Sequence, residues 1–166
     1  MFDARALPFA DNSLPFLYSV SVVEHIGGEG DSEGLREMGR VLKPGGTAVI
    51  TVPVGPTFSE VWLDRDPYGS QPKDGERVFF SYIYDRQNLE KRLVKPSGLT
   101  LESVKLWTDD PPGWYEARYV PAVASGSVPA MLTKMRDRQL ARRHIKRLPD
   151  GEICRGRGVA ALALRK

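Results

Sequence analysis

The chain reads as an α/β fold, a mostly parallel sheet with helices on its faces, and three stretches predict it. Arg40-Val41-Leu42-Lys43-Pro44-Gly45-Gly46 closes a helical pattern and leads directly into the apolar run Thr47-Ala48-Val49-Ile50-Thr51-Val52-Pro53. A helix ends there, proline and glycine force a reversal, and a buried strand begins. Residues 16–22 are apolar on both alternating faces, as a strand in the middle of a parallel sheet is. A last apolar run at 158–164 supplies a further strand, and strands alternating with helices make an α/β sheet.

Taken in order, Phe2 reads as the end of a strand, and 3–13 as a loop with Pro8 and Asp11-Asn12 as turn formers. The strand at 16–22 comes next, then a loop at 27–34. Ser32 is the expected N-cap of a helix whose buried stripe is Leu35, Met38, Val41 and Leu42. Asp31 and Glu33 lie at its positive end, Arg40 and Lys43 at its negative end, and both arrangements suit the helix dipole. After the strand at 48–52, residues 54–77 are rich in Pro, Gly and charge and read as a long loop. It leaves the carboxyl end of a strand, where ligands of open α/β sheets bind. Asp85 caps a second helix bearing Leu89, Leu93 and Val94; Pro96-Ser97-Gly98 turns the chain; 99–106 alternates as a strand. Residues 107–126 read as irregular and aromatic, and Val128, Met131, Leu132 and Met135 open a basic helix.

Composition narrows the class. Of 166 residues, 41% are hydrophobic and 27% charged, the balance of a soluble globular protein with one core. The longest low-charge run, 14–23, is broken by Tyr18, Ser19 and Ser21 and falls short of a membrane span. No basic-then-apolar leader opens the sequence, which predicts a cytoplasmic location, and the single Cys154 makes no internal disulfide. The net charge of +3 is local: 134–147 holds seven Lys/Arg and one Asp, and the remainder nets −3. Such a stripe reads as a solvated helix face rather than a nucleic-acid site, since no zinc, aromatic RNA-binding or helix-turn-helix signature accompanies it.

Three groups of residues carry chemistry. Asp3-Ala4-Arg5-Ala6-Leu7-Pro8-Phe9, with Asp11-Asn12-Ser13 behind it, precedes the first strand; Ser19, Val20 and Ser21 end that strand; Val23-Glu24-His25-Ile26 follows it. Together with the Arg40 to Gly46 motif, these resemble the class I S-adenosylmethionine-dependent methyltransferases. The resemblance implies a Rossmann-like sheet with strands in the order 4-5-7-6 and flanking helices, without the family's first βαβ unit. It implies S-adenosylmethionine as cofactor, with Asp3 accepting from the adenine amino group, the Ala4 amide donating to the ring, and the backbone at Ser19 and Val20 against the methionine part. A carboxylate suits an amino donor because, ionised, it only accepts. Where the family has Phe-Asp before this strand, Leu14-Pro15 stands here, which predicts an altered strand entry.

Glu24 and His25 are the candidate catalytic pair, His25 as a base for an acceptor hydroxyl or amine. The alternative, a structural hydrogen bond at a strand-to-loop junction, stays open. Some relatives complete a metal site with a glutamate three residues before this pair; Ser21 stands there, so no metal is expected. Gly27-Gly28-Glu29-Gly30 resembles a phosphate loop, but Glu29, Asp31 and Glu33 would repel a phosphate at the helix start. Arg155-Gly156-Arg157-Gly158 reads as a turn into the last strand. Trp62, Tyr68, Tyr82, Tyr84, Trp114, Tyr115 and Tyr119 either line an acceptor pocket or seal loops on the core.

The sequence therefore predicts one domain over 1–166, the C-terminal two-thirds of a methyltransferase, with the loop 54–78 and an insertion 107–152 on the acceptor side. The expected function is methyl transfer to a small-molecule or glycan-type acceptor; the alternative is a non-catalytic binding or assembly module on the same fold. With the first unit absent, the strand at 16–22 has an unpaired edge, which predicts self-association.

Overall fold

Two strands, β1 (Leu14–Val20) and β2 (Leu42–Val54), run parallel, and the helix between them, α1 (Gly30–Val41), is the crossover that a parallel pair requires. This is a computed structural model that describes residues 3–64, 69, 72–119, 137–152 and 154–166. Phe16 faces Thr47 and Val20 faces Thr51, with a register slip between Leu14 and Phe16. The slip falls on Pro15, which has no N–H for the ladder. Opposite it sits Gly46, where a Cβ would lie 2.8 Å from the Lys43 carbonyl oxygen and 3.1 Å from that of Pro15.

Two further long strands complete the sheet. β8 (Gly158–Arg165) lies antiparallel between β2 and β6 (Thr100–Asp109), and the short β7 (Ile145–Arg147) pairs outside β6. The order β1-β2-β8-β6-β7 contains the expected 4-5-7-6 arrangement, with β8 as the inserted antiparallel strand. Its inner face carries Ile50, Val52, Ala160, Leu162 and Leu164, all fully buried against Leu35, Met38 and Leu93 of the helices. Burying a leucine of this kind is worth about 1.5–3 kcal/mol.

A helix at 86–97, α2, begins on Asp85, whose carboxylate accepts from the Asn88 amide at 2.7 Å. An ordinary turn, Arg86–Asn88, passes into a wider π-type stretch, Leu89–Val94, and closes through Lys95–Ser97 at Gly98, whose φ is 66°. Pro96 removes the N–H that an α-helix would aim at the Arg92 carbonyl. The Ser32 hydroxyl donates there instead, at 2.9 Å. α1 meets α2 at Gly39, where a Cβ would collide with the Ser97 carbonyl. Gly39→Ala is expected to cost about 1–3 kcal/mol by overpacking, a Tm lower by roughly 3–10 °C in thermal unfolding; an unchanged Tm would show that the crossing yields.

Several expectations are corrected. α1 starts at Gly30, so the loop expected over 27–34 is shorter, and Ser32 lies buried within the helix rather than capping it. The loop expected over 54–77 contains β3 (Ser59–Leu63) and β4 (Lys73–Asp74), which pair with β5 (Arg77–Ile83) in a small antiparallel sheet. The Trp62 ring packs edge-on against Phe79 at 5.7 Å, and a Val54–Tyr84 bridge joins the small sheet to the large one. β1 is not buried on both faces: Phe16, Tyr18 and Val20 are 53%, 71% and 60% exposed. Trp107 and Asp109 belong to β6 rather than to an irregular stretch. The apolar start of the basic helix, Val128 to Met135, lies outside the described residues; its basic end forms α3 (Asp137–His144) and β7. Among the described residues no helix is long and apolar enough to cross a membrane.

Candidate active site at the end of β1

Ser21 ends β1 in the left-handed region, at φ 49°, with its amide donating to the Thr51 carbonyl at 3.1 Å and the Thr51 hydroxyl at 3.2 Å. This turn sends the chain into a short helical turn, Val23–His25, and then to α1. Alternation along β1 separates its last two residues. Ser19 is buried, and its Oγ has no hydrogen-bond partner among the described residues; Val20 faces the open side. An orphaned buried hydroxyl in a native fold needs an explanation, commonly a bound group.

Asp3 and Ala4 lie over the first half of α1. A Cβ on Gly34 would be 3.6 Å from that of Ala4. The segment is tied down by Arg40, which donates to the carbonyls of Leu7 and Phe9 and pairs with Asp11 and Glu37. The half-exposed Asp3 carboxylate takes both the backbone and the guanidinium of Arg5, at 2.8–3.0 Å for the shortest bonds. These bonds lower its pKa to about 2, so it is ionised and only accepts. Arg5 makes four contacts to the two Asp3 oxygens, the Nε–H shared between both, so an incoming donor takes the place that this sharing leaves. The Ala4 amide makes no hydrogen bond with the described residues.

The Glu24 and His25 side chains are adjacent, with Glu24 Oε1 3.8 Å from His25 Nε2. His25 Nδ1 is 2.6 Å from the Phe80 carbonyl oxygen, and the imidazole packs edge-on against the Phe80 ring at 4.7 Å. A carbonyl only accepts, so Nδ1 carries the proton and, in the neutral ring, Nε2 carries the lone pair. Glu24 is 2% exposed and its Oε2 has no hydrogen-bond partner among the described residues. Burial pushes its carboxyl above the ordinary range, against the pull of the neighbouring His25. Among the described residues no three His, Cys, Asp or Glu side chains gather as a metal site.

Behind this pair sits a network that sequence reasoning missed. Arg92 on α2 donates from Nε and Nη2 to the two oxygens of Asp31, at 2.8 and 2.7 Å. Its Nη2 also donates to the Gly28 carbonyl, its Nη1 reaches Glu29 at 3.3 Å, and its guanidinium lies 4.5 Å over the Tyr82 ring. The Tyr82 hydroxyl donates to the same Gly28 carbonyl at 2.9 Å, and that of Tyr84 to fully buried Asp31 at 2.8 Å. Burial, reinforced by Asp31, pushes the Tyr84 hydroxyl far above its ordinary range and keeps it a donor. Tyr82 and Tyr84 thus hold this network together, and Tyr84 also lines a separate cavity. The Gly28 carbonyl faces donors of the protein itself, which is no phosphate cradle. Asp31 and Arg92 are 61 residues apart, and the only local signal was an acid in a helix first turn.

A separate cavity of about 890 Å³ lies between α2, β6, β8 and the turn before β8, walled by Leu89, Val94, Leu101, Val104, Leu106 and Leu162 among others. It shares no residue with the end of β1. Tyr68 lies outside the described residues.

Residues 1–50 match the family described as methyltransferase domain. No curated protein sequence matches the chain. Among solved structures, a methyltransferase-like protein of Bacillus halodurans C-125 shares 17% identity at a TM-score of 0.51, covering 99% of this chain and 69% of that one. The cyclase SpnF shares 21% at 0.48, covering 99% and 54%. An S-adenosylmethionine-dependent methyltransferase of Mesorhizobium loti shares 14% at 0.48, covering 99% and 67%. At 17% identity the likeness to the Bacillus halodurans protein is one of fold, and the chain spans between about half and two-thirds of the length of these three proteins. The domain match lies across Asp3, β1, the Glu24-His25 pair and α1, and the sheet order and the likeness to the Bacillus halodurans protein give the chain the methyltransferase fold.

Proposed function

We propose that this chain forms the C-terminal two-thirds of a methyltransferase domain that transfers the methyl group of S-adenosylmethionine to a small-molecule or glycan-type acceptor. One observation carries the reading. The ionised, half-exposed Asp3 and the Ala4 amide, which makes no hydrogen bond among the described residues, offer an acceptor and a donor side by side, the pattern that an adenine amino group and ring nitrogen complement. Ser19 and Val20 at the end of β1 would hold the methionine part, the orphaned Ser19 Oγ offering a further polar partner.

Bound S-adenosylmethionine supplies an electrophilic methyl group, and the protein's part is positioning and proton handling. His25 Nε2, its lone pair fixed by the Nδ1–H bond to Phe80, takes the proton that an acceptor hydroxyl or amine loses. Glu24 Oε1, 3.8 Å away, stabilises the imidazolium that results.

Titration calorimetry of the chain with S-adenosylhomocysteine tests this reading. Binding in the micromolar range is expected, with Asp3→Ala weakening it about tenfold, the worth of a hydrogen bond to a charged group. Equal affinity in the variant ends the adenine assignment, and a folded chain that binds nothing favours a non-catalytic assembly module. That second reading has its own support in β1. At the edge of the sheet among the described residues, it exposes Phe16, Tyr18 and Val20, a surface suited to strand pairing with a second copy. Light scattering is expected to show concentration-dependent association that Val20→Lys reduces; a monomer at every concentration removes this reading.

A further inference from the structure

We infer that Arg92 is a positioning residue for His25, acting through the Gly28–Asp31 segment; this rests on the proposed role of His25 as the base. His25 sits on a short turn with little structure of its own: three helical residues, a Val22 N-cap that makes no side-chain bond, then Ile26 and two glycines. One end of that segment is tied to β1. The other runs into α1 and is held there, beside the Tyr82 and Tyr84 hydroxyls, by one guanidinium that binds three sites in four residues: the Gly28 carbonyl, the Glu29 carboxylate and both oxygens of Asp31.

The far anchor of His25 is the Phe80 carbonyl, on β5. Tyr82, two residues along the same strand, bonds the Gly28 carbonyl with its hydroxyl and lies beneath the Arg92 guanidinium. The base and the clamp therefore rest on one strand, β5. The 2.6 Å Nδ1–Phe80 bond holds only while the turn and β5 keep their spacing, and Arg92 with Tyr82 fixes that spacing three residues from the imidazole. Loosening the clamp frees the ring to adopt the other tautomer, which places the proton on Nε2 and removes the lone pair the reaction needs. A lysine at position 92 would keep the charge but lose the planar fork that reaches three partners at once.

Nitrogen-15 NMR of the two histidines in the whole chain tests this, with His25 assigned by a His144→Gln variant. In the wild type His25 is expected to show the pattern of a neutral ring protonated on Nδ1, with a slowly exchanging Nδ1–H. Arg92→Lys and Tyr82→Phe are expected to average that pattern between tautomers and to speed exchange of the proton about tenfold. Gly39→Ala, destabilised elsewhere, is expected to leave it unchanged. A wild-type pattern in folded Tyr82→Phe overturns the inference, and so does an equal change in Gly39→Ala, which would make the effect one of general stability. The readout uses neither cofactor nor acceptor. A failed cofactor titration and a failed clamp are therefore told apart.

Discussion

Arg92→Leu is expected to cost about 3–5 kcal/mol of folding stability, the scale for removing one partner of a buried ion pair. Asp31 is fully buried and Arg92 only 14% exposed in its side chain, so water cannot replace the lost guanidinium. What remains is a buried carboxylate facing only two neutral donors, the Tyr84 hydroxyl and the Ser32 amide, with the Gly28 carbonyl keeping Tyr82. The penalty is the stranded charge rather than the worth of the pair, and a second substitution exposes the difference. Asp31→Asn combined with Arg92→Leu is expected to recover a large part of the loss, because no charge is then left behind. Denaturant unfolding of the two singles and the double closes the cycle. If Arg92→Leu alone costs under about 1 kcal/mol, the figure for an exposed pair, the network is wet and the buried reading fails.

That network shows where sequence reading reached its limit. α1, β2, β6 and β8 were legible because each carries a local signal: the Leu35/Met38/Val41 spacing, the Pro44-Gly45-Gly46 reversal, the alternation over 99–106 and the apolar runs of β2 and β8. The place of β8 between β2 and β6 came from the family resemblance, but its reversed direction was not read, since apolar runs alone do not give strand direction. The small sheet was not legible. β3 opens on Ser59 and Glu60, both exposed, and β4 is Lys73 and Asp74, so neither shows a buried face. They are strands because β5 pairs with them.

The site was half legible for the same reason. Asp3, Ala4, Ser19, Glu24 and His25 follow one another along a short stretch of motif. The Phe80 carbonyl that fixes the His25 tautomer lies 55 residues away, and a backbone acceptor leaves no mark on sequence. β1 misled in the other direction. An apolar strand reads as buried on both faces, but burial belongs to whatever covers it, and Phe16, Tyr18 and Val20 stand exposed.

Glu24→Gln is expected to stabilise the fold at neutral pH and to do so only above the ordinary carboxylate range. Burial raises the Glu24 carboxyl above its usual 4.5, so the folded state holds this proton more tightly than the unfolded state does. The group's contribution is therefore fully present below about pH 4.5 and is lost as pH rises through the raised value. Glutamine stays neutral throughout. The two proteins are expected to match near pH 4, with the variant ahead at pH 8 by about 1–3 kcal/mol, the scale of the penalty for a buried polar group left unsatisfied, here borne by the carboxylate charge that glutamine lacks. A protein that keeps Glu24 at this cost gains something from the charge, and His25 Nε2 at 3.8 Å is the group placed to use it. Under the proposed role of His25 as the base, protonating that imidazole would turn the two into an ion pair and return part of the cost at that step. Urea unfolding of both proteins across this range measures the gap. A variant equally stable at pH 4 but less stable at pH 8 would mean that Glu24 is already paired in the resting fold, and that its carboxylate holds the structure rather than waiting for the proton.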